Sequence, residues 1–251
     1  MMLIALFLFA EFFGLFINRQ YIKKELPYGL EPAKEEFSVG YLLSAIIVFT
    51  IIYFLLIRLK IRYVIKLWYV LAIFVCSLIT FNSFMDGFLA LISAFIIVIL
   101  KMSNKFGLVF HNITEILVYA GIIPLFSPMF NITGIIMLMI MLSVYDIISV
   151  FGTKHMIKLV KTQRKLKMFA GLIIQYKDEN AMLGGGDVIF PLLFASVINM
   201  RVGAIPSILS IYGATLGLLS LIFIGKKGKF YPAIPFIATG QIIFFLTSLI
   251  I

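Results

Sequence analysis

Four carboxylates that lie inside long apolar runs are the residues of this chain best placed to do chemistry. Of the 11 Asp and Glu residues, the others lie in or beside polar segments, whereas Glu11, Glu115, Asp146 and Asp187 do not. An ionised side chain in hydrocarbon costs at least ~2.5–3.5 kcal/mol, so a carboxylate in such a run is a candidate functional residue. Their positions along the chain indicate which of them can act together.

Asp146 and Asp187 are predicted to lie at the same depth. Asp146 lies eight residues before Lys154, and Asp187 lies eight residues after Glu179. At 1.5 Å per helical residue, each carboxylate lies ~12 Å from the same polar boundary if both connecting segments are helical. Two carboxyls that face each other share a proton, and such a pair can hydrolyse a peptide bond with water. The alternative is two unrelated polar residues that pack between helices.

The composition requires a membrane protein. The 251 residues are 63% hydrophobic and 13% charged, whereas soluble domains are roughly 25% charged and 45–50% apolar. At about 20 apolar residues per span, the length allows about nine spans. The net charge of +10 falls between the apolar runs, where membrane topology explains it better than nucleic-acid binding.

The apolar runs predict an all-α membrane protein with about nine transmembrane helices. The first run lacks a basic start and contains Glu11, which favours a retained span over a cleaved signal peptide. Cys76 is the single cysteine and lies inside a run, so it is predicted to pack there. The predicted spans are 2–18, 38–57, 64–81, 85–100, 107–126, 131–152, 184–200, 204–224 and 232–251.

The basic residues predict the orientation, because short loops rich in Lys and Arg stay cytoplasmic. Of the 21 Lys and Arg residues, sixteen lie in one set of alternate loops and five in the other. The N-terminus and the 153–183 loop are therefore predicted to be cytoplasmic, and the C-terminus outside. The 153–183 loop mixes basic with apolar residues, which favours a position on the inner leaflet.

Two short motifs stand where spans begin. Gly184, Gly185 and Gly186 directly precede Asp187, and glycines allow positive φ and close backbone approach, which suits a substrate held by main-chain hydrogen bonds. A phosphate-binding loop is the alternative, but no Lys-Ser/Thr follows. The last span opens with two prolines, which favour extended backbone with free carbonyls or, alternatively, start an ordinary helix. That motif comprises Pro232, Ala233, Ile234 and Pro235.

With Tyr145 next to Asp146, these motifs resemble the presenilin and signal-peptide-peptidase family of GxGD intramembrane aspartyl proteases. The order of the motifs also matches, and the strings around both aspartates look most like archaeal presenilin homologues. The resemblance covers the chain from about residue 131 onward. Signal peptide peptidase holds the loop between its aspartates outside the cytosol, so the predicted orientation is presenilin-like.

The resemblance implies a proteolytic function with residues in named roles. It implies that Asp146 and Asp187 are the catalytic pair and that transmembrane helices are cleaved. Ile234 stands where the family's PAL-type motif has leucine, which is an apolar exchange. The residues implied to shape the substrate site are Tyr145, Gly184, Gly185, Gly186, Pro232, Ala233, Ile234 and Pro235.

A prepilin-type peptidase and an ion or proton pathway are the two alternative functions. Prepilin and preflagellin peptidases also use a GxGD aspartate, but a basic residue normally follows it soon and their partner aspartate lies in an earlier span. A non-enzymatic ion or proton pathway could also be lined by embedded carboxylates. No inverted repeat is evident to support a pathway. His111 lies four residues before Glu115, which favours a structural pair over a metal site.

The chain is expected to divide into two units and to have few partners. Residues 1–130 are expected to form a scaffold of five transmembrane helices, and residues 131–251 a catalytic unit of four helices with the cytoplasmic loop 153–183. We expect no cofactor, no metal, no nucleic acid and no obligatory protein subunit. The expected partners are transmembrane protein substrates and the lipid bilayer of the cell membrane, and the chain is expected to stay uncut.

Overall fold

The computed structural model describes residues 1–32, 62–103, 105–152, 169–176, 179–225 and 231–250, with isolated positions between 33 and 61. Over these residues the chain is mostly helical, as predicted. The α-helices are α1 Met2–Tyr21, α2 Arg62–Asn82, α3 Gly87–Ser103, α4 Gly107–Phe126, α5 Ile132–Ile147, α6 Gly186–Arg201, α7 Ala204–Ile224 and α8 Ile234–Ser248.

These helices coincide with eight of the predicted apolar runs. The run 38–57 lies largely outside the described residues. Within the described part of the chain, five helices are long and apolar enough to cross a membrane by length and composition, and α3 and α8 are shorter apolar helices. The chain is therefore an integral, multi-pass membrane protein. The count of nine spans stays a prediction.

Helix α6 lies at the centre of the bundle and contacts α1, α4, α5, α7 and α8. Its side chains from Leu192 to Ile198 are almost completely buried. Leu192 packs onto α1 at Gly14, where an added Cβ would lie 2.2 Å from a Leu192 methyl carbon. The helix that carries Asp187 is thus enclosed by its neighbours along most of its length.

Helices α7 and α8 touch along their backbones because glycines line their interface. A Cβ added at Gly217 would lie 2.1 Å from the carbonyl oxygen of Phe236, and one at Gly240 would lie 2.2 Å from that of Gly213. Small residues allow this close approach between membrane helices, where dispersion contacts replace the hydrophobic effect. The packing fixes α8 on α7 and so fixes the start of α8, where the proline motif lies.

A β-hairpin precedes α6, which the all-α prediction did not include. Strand β1 (Gly171–Tyr176) pairs antiparallel with β2 (Glu179–Gly184), and Leu172 lies opposite Leu183. Leu172, Ile174 and Leu183 are buried, because alternate residues of a strand face the same side. The part of the basic loop from 153 to 168 lies outside the described residues.

Candidate active site

Asp146 lies where regular helix gives way to a wider turn. It is 5% exposed near the end of α5, and residues Ile148–Gly152 continue the helix as one π-helical turn. The Ser149 hydroxyl donates to the carbonyl oxygen of Asp146 at 3.0 Å. Single π-turns inside helices are frequent at functional sites because they change where the neighbouring side chains point. Tyr145 is half-buried beside Asp146.

The Asp146 carboxylate caps the N-terminus of α8. Its Oδ2 accepts a hydrogen bond from the backbone N–H of Ile234 at 3.2 Å, and the backbone N–H of Ala233 also donates to this carboxyl. Pro232 and Pro235 have no N–H, so both donors that the motif possesses are directed at Asp146. Ala233 provides no side-chain cap of its own. A carboxylate from α5 thus stabilises the positive end of α8.

Asp187 also lies at a helix N-terminus, in the first turn of α6. Its Oδ2 accepts a hydrogen bond from the backbone N–H of Gly184 at 3.2 Å, at the end of β2. Pro191 stands four residues after Asp187, so the carbonyl of Asp187 lacks the N–H partner that a regular helix would provide. The hairpin and the helix therefore both orient this carboxyl.

The structure places the two aspartates on neighbouring helices. Helices α5 and α6 contact each other. The sequence interpretation placed both carboxyls at the same depth on condition that both connecting segments are helical, but Glu179–Gly184 before Asp187 form strand β2, so that condition does not hold. Two carboxyls that meet at such a helix contact can share one proton and bind a water molecule between them.

Two of the three glycines before Asp187, Gly184 and Gly185, lie close to neighbouring atoms. None of the three has a positive φ, and Gly185 has φ −60°, so the positive φ that glycine allows is not used here. A Cβ on Gly184 would lie 3.1 Å from Asp187 Oδ2, and a Cβ on Gly185 would lie 3.2 Å from the carbonyl oxygen of Ala170. The Gly185 N–H donates to this carbonyl at 3.0 Å, which leaves no room for a side chain.

Gln241 is a buried polar residue that the sequence interpretation missed. It is fully buried on α8, and its Nε2 donates to the carbonyl oxygen of Pro191 at 2.9 Å. This bond joins the helix that begins at the proline motif to the helix that begins at Asp187. A glutamine inside an otherwise apolar span was the signal, because an amide in hydrocarbon needs a partner.

The other predicted polar residues lie elsewhere. Lys101 stands between His111 and Glu115 and bonds to both, so the two residues are linked through Lys101 and not directly as predicted. Glu11 is fully buried on α1, and its carboxyl oxygens make no hydrogen bond within the described part of the chain. Among the described residues, no three His, Cys, Asp or Glu side chains cluster as metal ligands would.

A groove of about 510 Å³ lies between α7 and α8, and neither aspartate lines it. Its walls include Leu216 and Gly217 of α7, and Pro235, Phe236 and Gly240 of α8. It therefore begins beside the proline motif on the outer face of the helix pair. Pro235 is the one residue that this groove shares with the predicted substrate site.

Comparison with known families identifies the chain. Residues 4–251 match the family described as signal-peptide peptidase, presenilin aspartyl protease. The chain belongs to this family. It is an intramembrane aspartyl protease, as the motifs predicted, and membership favours this function over the prepilin-type and ion-pathway alternatives.

Solved structures share the fold of this presenilin-family protease. A presenilin family intramembrane aspartate protease in a C222 crystal form has a TM-score of 0.75 and 20% identity, and the match covers 98% of this chain and 97% of that chain. A structure in a P2 crystal form, also described as a presenilin family intramembrane aspartate protease, has a TM-score of 0.73 and 22% identity, with 98% and 96% covered. No curated protein sequence matches this chain.

Proposed function

We propose that Asp146 and Asp187 are the catalytic pair of this protease. The observation that carries the proposal is that the contacting helices α5 and α6 each carry a carboxyl that accepts a backbone hydrogen bond, Asp146 at the N-terminus of α8 and Asp187 at the N-terminus of α6. Helix N-termini stabilise carboxylates, so the bundle can hold acidic groups in an apolar setting. Tyr145 and the glycine and proline motifs are proposed to shape the site around this pair.

The pair would hydrolyse a peptide bond through water. The ionised carboxylate takes a proton from water as the water oxygen attacks the carbonyl carbon, and the protonated carboxyl donates its proton to the carbonyl oxygen. When the tetrahedral intermediate collapses, the carboxyl that took the proton from water donates it to the amide nitrogen, the C–N bond breaks, and a hydroxyl of the intermediate returns a proton to the other carboxylate. One carboxyl and one carboxylate are regenerated as a shared-proton pair, so no further reactant is needed.

Strand β2 is proposed to hold the substrate in extended form. Gly171 and Ile173 of β1 direct their backbone groups away from β2, towards α4. Their partners across the hairpin are Gly184 and Met182, whose backbone groups therefore point to the opposite, outer edge. A substrate segment that pairs with this edge would be led to Asp187. Pairing would also replace the helical hydrogen bonds that the segment loses in the membrane.

A shared proton predicts a bell-shaped dependence of cleavage rate on pH. At low pH both carboxyls are protonated and no base remains, whereas at high pH both are ionised and no acid remains. We expect kcat/KM of the purified protein to pass through a maximum between two apparent pKa values that belong to the pair. A rate that stays flat from acid to neutral pH would contradict the proposal, and a chelator should leave the rate unchanged.

The proposed topology has nine spans with the N-terminus and the hairpin on the cytoplasmic side. The end of α5, the hairpin and the start of α6 follow one another around the basic loop, which supports access of water to the aspartates from the cytoplasm. Residues 1–130 would then be the scaffold and residues 131–251 the catalytic unit. We further propose that the chain acts in the cell membrane without an obligatory subunit.

Thiol labelling tests this topology. In a Cys76→Ser background, Ala181→Cys places a thiol at an exposed position of β2, and Phe84→Cys places one at an exposed position between α2 and α3. We expect a membrane-impermeant thiol reagent to label Ala181→Cys only from the cytoplasmic side and Phe84→Cys only from outside. The reverse pattern would overturn the orientation, and labelling of both from one side would overturn the span count.

A further inference from the structure

A buried ion pair lies at the end of α3, outside the aspartate pair. The Lys101 and Glu115 side chains are 7% and 2% exposed, and their Nζ and Oε1 atoms are 3.1 Å apart. Lys101 Nζ also donates to Nδ1 of His111 at 2.9 Å and to the carbonyl oxygen of His111 at 3.3 Å. All three ammonium protons therefore have acceptors, as a buried ion pair requires if it is to persist.

The Glu115 carboxylate joins the pair to two further helical positions. Its Oε1 accepts from the Tyr69 hydroxyl of α2 at 3.4 Å, and its Oε2 accepts from the Tyr119 hydroxyl of α4 at 3.2 Å. Tyr119 is 1% exposed, and its hydroxyl lies 3.3 Å from the point where a Cβ on Gly185 would stand. The network thus extends from α2 and α3 to the glycine run that precedes Asp187.

Two side chains of α4 connect this network to β1. His111 Nε2 is 2.9 Å from the carbonyl oxygen of Gly171. Because a carbonyl oxygen only accepts, Nε2 of His111 must carry the proton. Nδ1 is then unprotonated and accepts from Lys101, so His111 is the neutral tautomer with its proton on Nε2. Asn112 Oδ1 accepts from the Ile173 N–H at 2.9 Å, and Asn112 Nδ2 donates to the Ile173 carbonyl at 2.8 Å. Asn112 therefore bonds to both the backbone N–H and the backbone carbonyl of Ile173, as a residue of a neighbouring strand would.

We propose that Lys101, Glu115, His111 and Asn112 position the hairpin along α4 and so select which peptide bond of a substrate reaches the aspartates. The inference rests on the proposed role of the outer edge of β2. A strand that pairs with this edge takes its register from the hairpin. If β1 can slide along α4, the bound substrate slides with it, and different peptide bonds reach the same pair. These are positioning residues, and none of them takes part in the chemistry.

Cleavage position is the measurement that separates positioning from general stability. Asn112→Ala removes both bonds to Ile173, and we expect fragments from additional cleavage positions together with roughly tenfold lower kcat/KM. Mass spectrometry of fragments from one single-span substrate gives the positions. His111→Leu should act in the same direction. His111→Gln retains a donor for the Gly171 carbonyl and should restore most of the wild-type pattern.

Asn82→Ala is the matched control. Asn82 is 7% exposed, and its side chain donates to the Tyr21 hydroxyl at 3.3 Å. It lies thirteen residues beyond Tyr69 on α2, or about 20 Å along the helix. We expect this variant to leave the cleavage positions unchanged, whatever it does to the melting temperature.

Different results would overturn the positioning role and the proposed binding of substrate to β2. If folded Asn112→Ala and His111→Leu variants both cut only at the wild-type positions, the positioning role is wrong, even where the melting temperature falls. Should Asn112→Ala not fold, the comparison of His111→Leu with His111→Gln decides. If the outer edge of β2 does not bind substrate, Met182→Pro will cleave like wild type, whatever the α4 variants do.

Discussion

Asp187→Asn is expected to lose cleavage of a transmembrane substrate, and Asp146→Asn is expected to lose it equally. One carboxyl cannot be both the base for water and the acid for the carbonyl, so each change should cost at least about 10²–10⁴-fold in rate. Asparagine keeps an oxygen that can accept from Ile234 or Gly184, so both variants should fold. The measurement is fragment release from a single-span protein by purified protein of verified melting temperature.

Glu11→Gln provides the matched control for this experiment. Glu11 is also fully buried in a membrane helix, but it has no hydrogen-bond partner among the described residues. We expect the variant to keep full activity, because Glu11 is not one of the two proposed catalytic carboxyls. An active Asp146→Asn or Asp187→Asn variant would refute the assignment of the pair.

Met182→Pro is expected to lower kcat/KM by roughly tenfold or more. Proline removes the N–H that points to the outer edge of β2, and its ring obstructs a strand that approaches this edge. The hairpin should persist, because the Ile173–Met182 pair contributes no hydrogen bonds between β1 and β2. The measurement is kcat/KM with the substrate used for the aspartate variants.

Met182→Val controls for the side chain. Valine keeps the backbone N–H and favours strand conformation, so this variant should cleave nearly as fast as wild type. Equal rates for the proline and valine variants would mean that substrates do not pair with β2. That result would leave the aspartate pair intact and would remove only the proposed mode of substrate binding.

The sequence predicted those parts of the fold that depend on local composition. Apolar runs of about 20 residues define membrane helices, so the described helices coincide with the predicted ones. Two acidic residues near the same loop predicted a paired site, because charge in hydrocarbon is rare, and this pairing stays a prediction. The family motifs predicted the neighbourhood of the pair. The residues between 33 and 61 are described too sparsely to extend this comparison to the run 38–57.

The features that the sequence did not predict depend on contacts between distant segments. The hairpin lies in a loop whose basic residues favoured only a position on the inner leaflet, and strand β1 is held by Asn112, about sixty residues earlier. The capping of α8 by Asp146 joins residues 88 positions apart. Lys101 was interpreted as a loop charge that sets topology, whereas its burial depends on Glu115 and His111. No local pattern contains such pairings.

The most direct test of the central claim is mass spectrometry of the fragments that the purified protein releases from a single-span substrate in water enriched in oxygen-18. We predict new termini inside the transmembrane segment, with oxygen-18 in the new carboxyl group, because water is the nucleophile. The same fragments should be absent with Asp146→Asn and with Asp187→Asn. Cleavage only outside the membrane segment, or unchanged cleavage by either variant, would contradict the account.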